Sequence, residues 1–224
     1  MNRSNFNVVK LNPMIKKVTI IDYGMGNLWS VASAMKFLGA NPVVSKDPIE
    51  IANSNCLVLP GVGSFRRAME TIKAKKYDQA IAEALTNSKT KLLGICLGMQ
   101  LLSASSTEDG ETPGLGLLPN LVTRFSSNND IKIKIPHIGF SEVKSPKNSS
   151  LFANIPDNSC FYFVHSYFME IANYDVTKSR VATATHGTDF VAAVESGQIC
   201  GTQFHPEKSQ RSGLQLMRNF LERF

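Results

Sequence analysis

Gly94-Ile95-Cys96-Leu97-Gly98 sets a thiol between two glycines in the pattern G-x-C-x-G, where an apolar run, Lys91-Leu92-Leu93-Gly94-Ile95, gives way to a helix-like stretch beginning near Leu97. A sharp strand-to-helix turn needs such glycines, because a Cβ on either flank would collide with the tight backbone. The turn lifts its central side chain above the carboxyl ends of the strands, where α/β sheets build their sites. The helix N-terminus behind it carries partial positive charge that favours a thiolate. Backbone N–H groups there, beginning with that of Leu97, can face a developing oxyanion. Taken alone, the pattern fits a nucleophile and a buried strand-end thiol about equally well.

Gln203-Phe204-His205-Pro206-Glu207 separates the two. A nucleophilic thiol needs an imidazole to take its proton and later give it to the leaving group, and the imidazole needs a carboxylate or amide to hold its tautomer. In an extended segment residues two apart project to one side, so His205 and Glu207 point together while Phe204 and Pro206 face away, with Pro206 stiffening the link. The other histidines, His137, His165 and His186, have no acid at that spacing. His137 and His186 read as structural or surface residues, and His165 is ambiguous. These residues specify acyl transfer through Cys96, with His205 as acid and base and Glu207 as its orienter.

The elements that position them alternate. Lys17–Asp22 is a β-branched strand, followed by a helix over Leu28–Leu38 with apolar residues at Leu28, Val31, Ala32, Met35 and Leu38 and a stop at Gly39. Pro42–Val44 reads as a strand, Pro48–Ala52 as a short helix, and Cys56–Leu59 as a strand entering the turn Pro60-Gly61-Val62-Gly63. One helical stretch is expected over Ser64–Asn87, then the strand Lys91–Ile95 that leads into Cys96. Strands alternating with helices indicate a parallel sheet covered on both faces. The second half adds strands at Leu121–Phe125, Ile131–Ile135, Ser141–Val143, Cys160–His165, Arg180–Ala184, Phe190–Glu195 and Ile199–Phe204, several of them antiparallel, and a closing helix over Ser212–Phe224. The expectation is a single α/β domain over 17–224, with a central, mostly parallel, mixed sheet flanked by helices. A flexible N-terminal extension, 1–16, precedes it.

The 224 residues are 43% hydrophobic and 19% charged, which suits a folded domain and excludes a disordered chain. No apolar run is long enough to span a bilayer, and Met1–Lys17 lacks the apolar stretch of a secretory signal, so a cytoplasmic location is expected. Cys56, Cys96, Cys160 and Cys200 are spread without a C-x-x-C pair, which argues against a zinc ribbon or dithiol motif and leaves free thiols, with no metal expected. All but Cys96 stand in apolar surroundings and read as core or strand residues. The net charge of +6 comes from scattered lysines and arginines without an aromatic-interleaved stripe, so nucleic acid is not expected as a partner. Gly24-x-Gly26 lacks the third glycine of a dinucleotide fingerprint, because Trp29 stands there, and no cofactor is expected.

Four runs in order, Asp22-Tyr23-Gly24-Met25-Gly26-Asn27, Pro60-Gly61-Val62-Gly63, Gly94-Ile95-Cys96-Leu97-Gly98-Met99-Gln100 and His205-Pro206-Glu207-Lys208-Ser209, resemble the motifs of the triad (class I) glutamine amidotransferases. Within them the chain looks most like the glutaminase subunits of imidazole glycerol phosphate synthases, and the match runs from about Val18 to the C-terminus. The resemblance implies a flavodoxin-like fold and a cycle in which Cys96 attacks the side-chain amide of L-glutamine. His205 then protonates departing ammonia, and water cleaves the thioester. It further implies oxyanion donors at Leu97 and at Val62 or Gly63, and substrate contacts at Gly63, Gln100, Ser166 and Tyr167. Gln100 otherwise reads as a plain exposed helix residue; its place one turn after Cys96 favours substrate contact. The partner implied is a (β/α)8-barrel cyclase/synthase subunit, docked as a heterodimer over Asn27, Phe140 and Lys208, which receives the ammonia and makes imidazole glycerol phosphate and AICAR for histidine biosynthesis.

This chain carries Phe140-Ser141 after Pro136-His137-Ile138-Gly139, where the family it resembles usually has Trp-Asn. Phe keeps an aromatic plug without the indole N–H, and Ser shortens an amide. That departure leaves open a different acceptor, such as a sugar amidated for surface polysaccharide. A stand-alone thiol hydrolase with the same triad is the rival from another class, and a silent binding subunit would lack a triad member.

Overall fold

The computed structural model describes residues 16–127, 132–171 and 179–223. Its first half is the alternation β1 (Lys17–Ile21), α1 (Leu28–Phe37), β2 (Asn41–Ser45), α2 (Pro48–Ala52), β3 (Cys56–Gly61), α3 (Phe65–Ala74), α4 (Tyr77–Thr86), β4 (Lys91–Cys96) and α5 (Leu97–Leu101). Short β5 (Ser105–Ser106) and β6 (Thr112–Pro113) come next, then β7 (Leu121–Arg124), β8 (His137–Glu142), β9 (Cys160–His165) and β10 (Tyr167–Met169). The chain closes with β11 (Ser179–Thr185), β12 (Asp189–Ser196), β13 (Ile199–Thr202), a 3-10 turn at Pro206–Lys208 and α6 (Gln210–Arg223).

A seven-stranded sheet in the order β11-β12-β13-β4-β3-β1-β2 is the frame. From β2 to β13 its neighbours are parallel, and β12 and β11 add an antiparallel edge. Strands covered on both faces need no polar side, which is why all of β3 is buried. Val18, Ile20, Val58, Leu93 and Ile95 enter the core on one face, and Ile21, Leu57, Leu59 and Leu92 the core on the other. The order puts β4, which ends in Cys96, between β3, which ends in the Pro60–Gly63 turn, and β13, which runs into His205. Three segments remote in sequence thus deliver their carboxyl ends to one edge of the sheet. No helix among the described residues is long and apolar enough to cross a membrane.

Four expectations need correction. The helical stretch 64–87 is two helices, parted where Lys76 takes a left-handed backbone (φ 58°). Cys160 begins β9, so it is a strand residue but not a core one: Phe161 and Phe163 claim the inward phase, and the period of two turns Cys160 outward. No strand lies at 132–135, and Ile131 falls outside the described residues. The pairing of His205 with Glu207 is made by a 3-10 turn and not by an extended segment: His205 keeps an extended backbone, and Pro206 then starts the turn. Of the N-terminal extension only Lys16 is described, and its Nζ donates to the Leu221 carbonyl at 2.9 Å.

Candidate active site

Cys96 occupies the junction of β4 and α5 with φ 53° and ψ −111°, a conformation that costs an L-residue about 1–3 kcal/mol. The close approach of the neighbouring backbone requires the glycines around it. A Cβ on Gly94 would stand 2.8 Å from the backbone of Gly98 and Met99, and one on Gly98 would stand 1.7 Å from the Leu59 carbonyl oxygen. α5 therefore folds straight back over β4 and lies against β3, and the thiol sits on the crest of the bend, 6% exposed.

His205 reaches the thiol from the next strand. Its backbone N–H donates to the Tyr162 carbonyl at 2.9 Å. Ser209 Oγ ties the same corner, donating to the His205 carbonyl at 2.6 Å and accepting from the Tyr162 N–H at 2.9 Å. The imidazole Nδ1 is 2.8 Å from Glu207 Oε1, with both side chains nearly inaccessible. Nδ1 carries the proton in that bond, so Nε2 is free for chemistry. Nε2 is buried on the Cys96 side of the ring with no well-aligned hydrogen-bond partner among the described residues. Burial draws the imidazole down, yet the Cys96 sulfur and the Glu207 carboxylate together outweigh it and push its pKa up to about 9. The imidazole is thus held between a carboxylate and a sulfur.

Both groups open into a cavity of about 350 Å³. Val62, Gly63, Leu97, Gln100, Ser166 and Tyr167, which the sequence reading assigned to oxyanion and substrate contacts, all line it. Glu207 stands behind His205. Gln100 is buried, unlike a plain surface residue, and its Nε2 donates to the Tyr167 carbonyl at 2.8 Å and to Gln203 Oε1 at 3.0 Å.

Several lining or supporting residues were not anticipated. Glu108 lines the cavity and accepts from the Phe65 N–H at 2.9 Å. Burial lifts its carboxyl above the usual range, against the Phe65 N–H and with Asp109 adding to the rise. It comes from a loop twelve residues past Cys96 with no periodic signal to betray its direction. His165 also lines the cavity and meets His137 edge to face, while His137 stacks on Phe163. Gln203 lies fully buried beside the thiol. It stands two residues before His205, and the alternation rule applied there would have placed it on the same side.

Outside the cavity, Phe140 and Lys208 meet through Tyr162. The two rings lie 5.5 Å apart, and the Lys208 ammonium sits 5.8 Å above the tyrosine. Asn27 is exposed and caps α1, its side chain accepting from the Ser30 N–H. Next to it Trp29, 81% exposed, borders a groove of about 470 Å³ between α1 and α6 that ends at Glu207. Among the described residues no group of three or more His, Cys, Asp or Glu side chains could hold a metal ion.

A family model described as glutamine amidotransferase class-I matches residues 19–224. The chain is 42% identical over 207 residues to imidazole glycerol phosphate synthase subunit HisH 1 of Parasynechococcus marenigrum, covering 92% of this chain and 98% of that one. It is 45% identical over 206 residues to the HisH subunit of Chlorobaculum tepidum, covering 92% and 99%. Among solved structures, one described as a glutamine amidotransferase superposes with a TM-score of 0.70 at 18% identity, over 92% of this chain and 97% of that one. PurLQS from Thermotoga maritima superposes with the same score at 17% identity, over 94% and 99%, and at such identities the likeness concerns the fold.

Proposed function

Since the chain belongs to the class-I glutamine amidotransferase family, we propose that Cys96, His205 and Glu207 are the triad with which it hydrolyses L-glutamine. It is the glutaminase subunit of an imidazole glycerol phosphate synthase and acts in histidine biosynthesis, working with the synthase subunit of that enzyme. The 40–45% identity to HisH subunits over more than nine-tenths of the chain supports this acceptor over a polysaccharide sugar, despite Phe140-Ser141.

The Cys96 thiolate attacks the side-chain amide carbon of glutamine, and the carbonyl electron pair moves onto oxygen. The Leu97 N–H and an N–H from Val62 or Gly63 stabilise that oxyanion. As the tetrahedral intermediate collapses, the C–N bond breaks, His205 Nε2 hands its proton to nitrogen, and ammonia leaves. His205, now neutral at Nε2, takes a proton from water. The resulting hydroxide attacks the thioester, and its collapse returns the electron pair to sulfur and frees glutamate. Glu207 accepts the Nδ1–H throughout, holding one tautomer and offsetting the charge of the imidazolium. Gln100, Ser166, Tyr167 and Gly63 hold the substrate, and the Glu108 carboxylate faces its α-ammonium. The ammonia passes to a (β/α)8-barrel partner that forms a heterodimer over Asn27, Phe140 and Lys208.

The observation that carries this reading is the buried imidazole, 2.8 Å from Glu207 on one nitrogen and turned to the Cys96 sulfur with the other. In the complex with the synthase subunit, Cys96→Ala should lose glutamine-dependent synthesis and keep ammonia-dependent synthesis. Loss of both together, or of neither, overturns the division of labour. A glutamine-mimicking alkylator should label Cys96 alone. Fast turnover by the isolated chain, indifferent to the synthase, would favour the stand-alone hydrolase.

A further inference from the structure

We propose that Gln203 is a further catalytic residue of this site, its side-chain amide donating an N–H to the Cys96 sulfur and stabilising the thiolate before attack. The inference rests on Cys96 being the nucleophile. Gln203 is fully buried, and its Nε2 lies 3.8 Å from Sγ.

Which end of the amide faces the sulfur is fixed by its neighbours. The Tyr167 carbonyl can only accept, so the Gln100 atom 2.8 Å from it is nitrogen. The second hydrogen on that nitrogen goes to Gln203 at 3.0 Å, so the Gln203 atom it meets is oxygen. The NH2 end is therefore the one at the sulfur. From the other side His165 Nδ1, 2.8 Å away, must also donate to the Tyr167 carbonyl. His165 Nε2 then accepts from His137 Nδ1 at 3.1 Å, and His137 Nε2 accepts from Ser141 Oγ at 2.8 Å. Burial pushes His165 down to about 3, and burial with His186 pushes His137 down to about 4, so neither ring takes a second proton that would set two N–H groups against each other. Every donor direction from Ser141 to Cys96 is set.

Both arms donate into the Tyr167 carbonyl, so no proton can travel along the chain, and it works as a brace. The N–H it delivers cannot remove the thiol proton, which leaves that task to His205. It can stabilise negative charge on sulfur before attack, and again when the thioester is cleaved and the electron pair returns to sulfur. A hydrogen bond to an ionised acceptor is about twice as strong as a neutral one, so the contact favours the thiolate over both thiol and thioester.

The test is the pH profile of Cys96 alkylation by iodoacetamide, measured on the full chain, with kcat and KM for glutamine measured in the complex with the synthase subunit. Gln203→Met keeps the shape and removes the N–H. It should move the alkylation midpoint up by about one pH unit and lower kcat about tenfold, with KM changed less than about twofold. Gln203→Glu keeps the oxygen that Gln100 needs and should move the midpoint at least as far, which covers the case in which the methionine variant does not fold. A wild-type midpoint in either folded variant, or a loss carried wholly by KM, overturns the proposal. If Cys96→Ala still hydrolyses glutamine, the nucleophile assignment itself has failed, whatever Gln203 does.

Discussion

Gly98→Ala adds one carbon at the point where α5 crosses β3, where the backbone leaves no room for it. The new Cβ would stand 1.7 Å from the Leu59 carbonyl oxygen and 2.7 Å from its carbon, against 3.4 Å for an ordinary contact. Both neighbours are backbone, so no side-chain rotation relieves the clash, and the helix must move off the strand by about 1.7 Å. Overpacking of this kind costs about 3 kcal/mol, at the upper end of the usual range, because the whole element has to shift. Alanine regains about 1 kcal/mol through its better helix propensity. The clash wins by about 2 kcal/mol, a fall in melting temperature of roughly 4–8 °C for a domain of this size. The displaced helix start carries the Leu97 N–H and adjoins Cys96, and a misplacement of about 1 Å at a reacting centre costs about a hundredfold in rate. Thermal unfolding by circular dichroism and glutamine hydrolysis in the synthase complex measure the two effects. Gly26→Ala is the control for stability, since its Cβ meets nothing nearer than 3.4 Å. A Gly98→Ala protein that melts at the wild-type temperature and hydrolyses glutamine within about threefold of the wild-type rate would refute the steric account of the elbow.

The pKa of His205, about 9 when folded against 6.5 for the free side chain, is raised, so its stabilisation is whole below about pH 6.5 and is lost as pH rises through about 9. Glu207→Gln removes one of the two groups that raise this pKa and should move the His205 imidazole titration, followed by NMR, to lower pH; an unchanged midpoint would place Glu207 outside the pair. The same variant should slow hydrolysis less than His205→Ala, and equal losses would mean that the roles are reversed. Glu108→Gln removes the carboxylate from the cavity and should raise KM for glutamine about tenfold with little change in kcat; a fall in kcat alone would place Glu108 outside substrate binding. Trp29 is the sole tryptophan and stands 81% exposed beside Asn27. Its emission should shift to the blue when the synthase subunit docks, and an unchanged spectrum in a formed complex would put α1 outside the interface.

The parallel half of the fold was legible because its strands are continuous apolar runs and its helices carry their own stops. Cys56-Leu57-Val58-Leu59 and Lys91-Leu92-Leu93-Gly94-Ile95 name themselves, and the Asn27, Asp47 and Ser64 side chains cap the helices that begin after them. The second half was less legible. Its strands are short, and their phase is set by partners: β9 turns Cys160 outward because β8 and the core claim Phe161 and Phe163. Lys75-Lys76 broke an expected helix because the apolar pattern of α3 continues into α4, while a local left-handed turn is invisible to periodicity.

The amino-acid order by itself determined the thiol on its glycine bend, the imidazole with its carboxylate two residues on, and the frame of alternating elements. These depend on contacts within a few residues, where covalent geometry leaves few choices. Only the tertiary structure decided that β13 lies beside β4, that Glu108 lines the cavity, and which way the amides of Gln100 and Gln203 face. Those outcomes depend on contacts between residues tens of positions apart, and an amide or imidazole takes its direction from partners that the fold alone brings within reach.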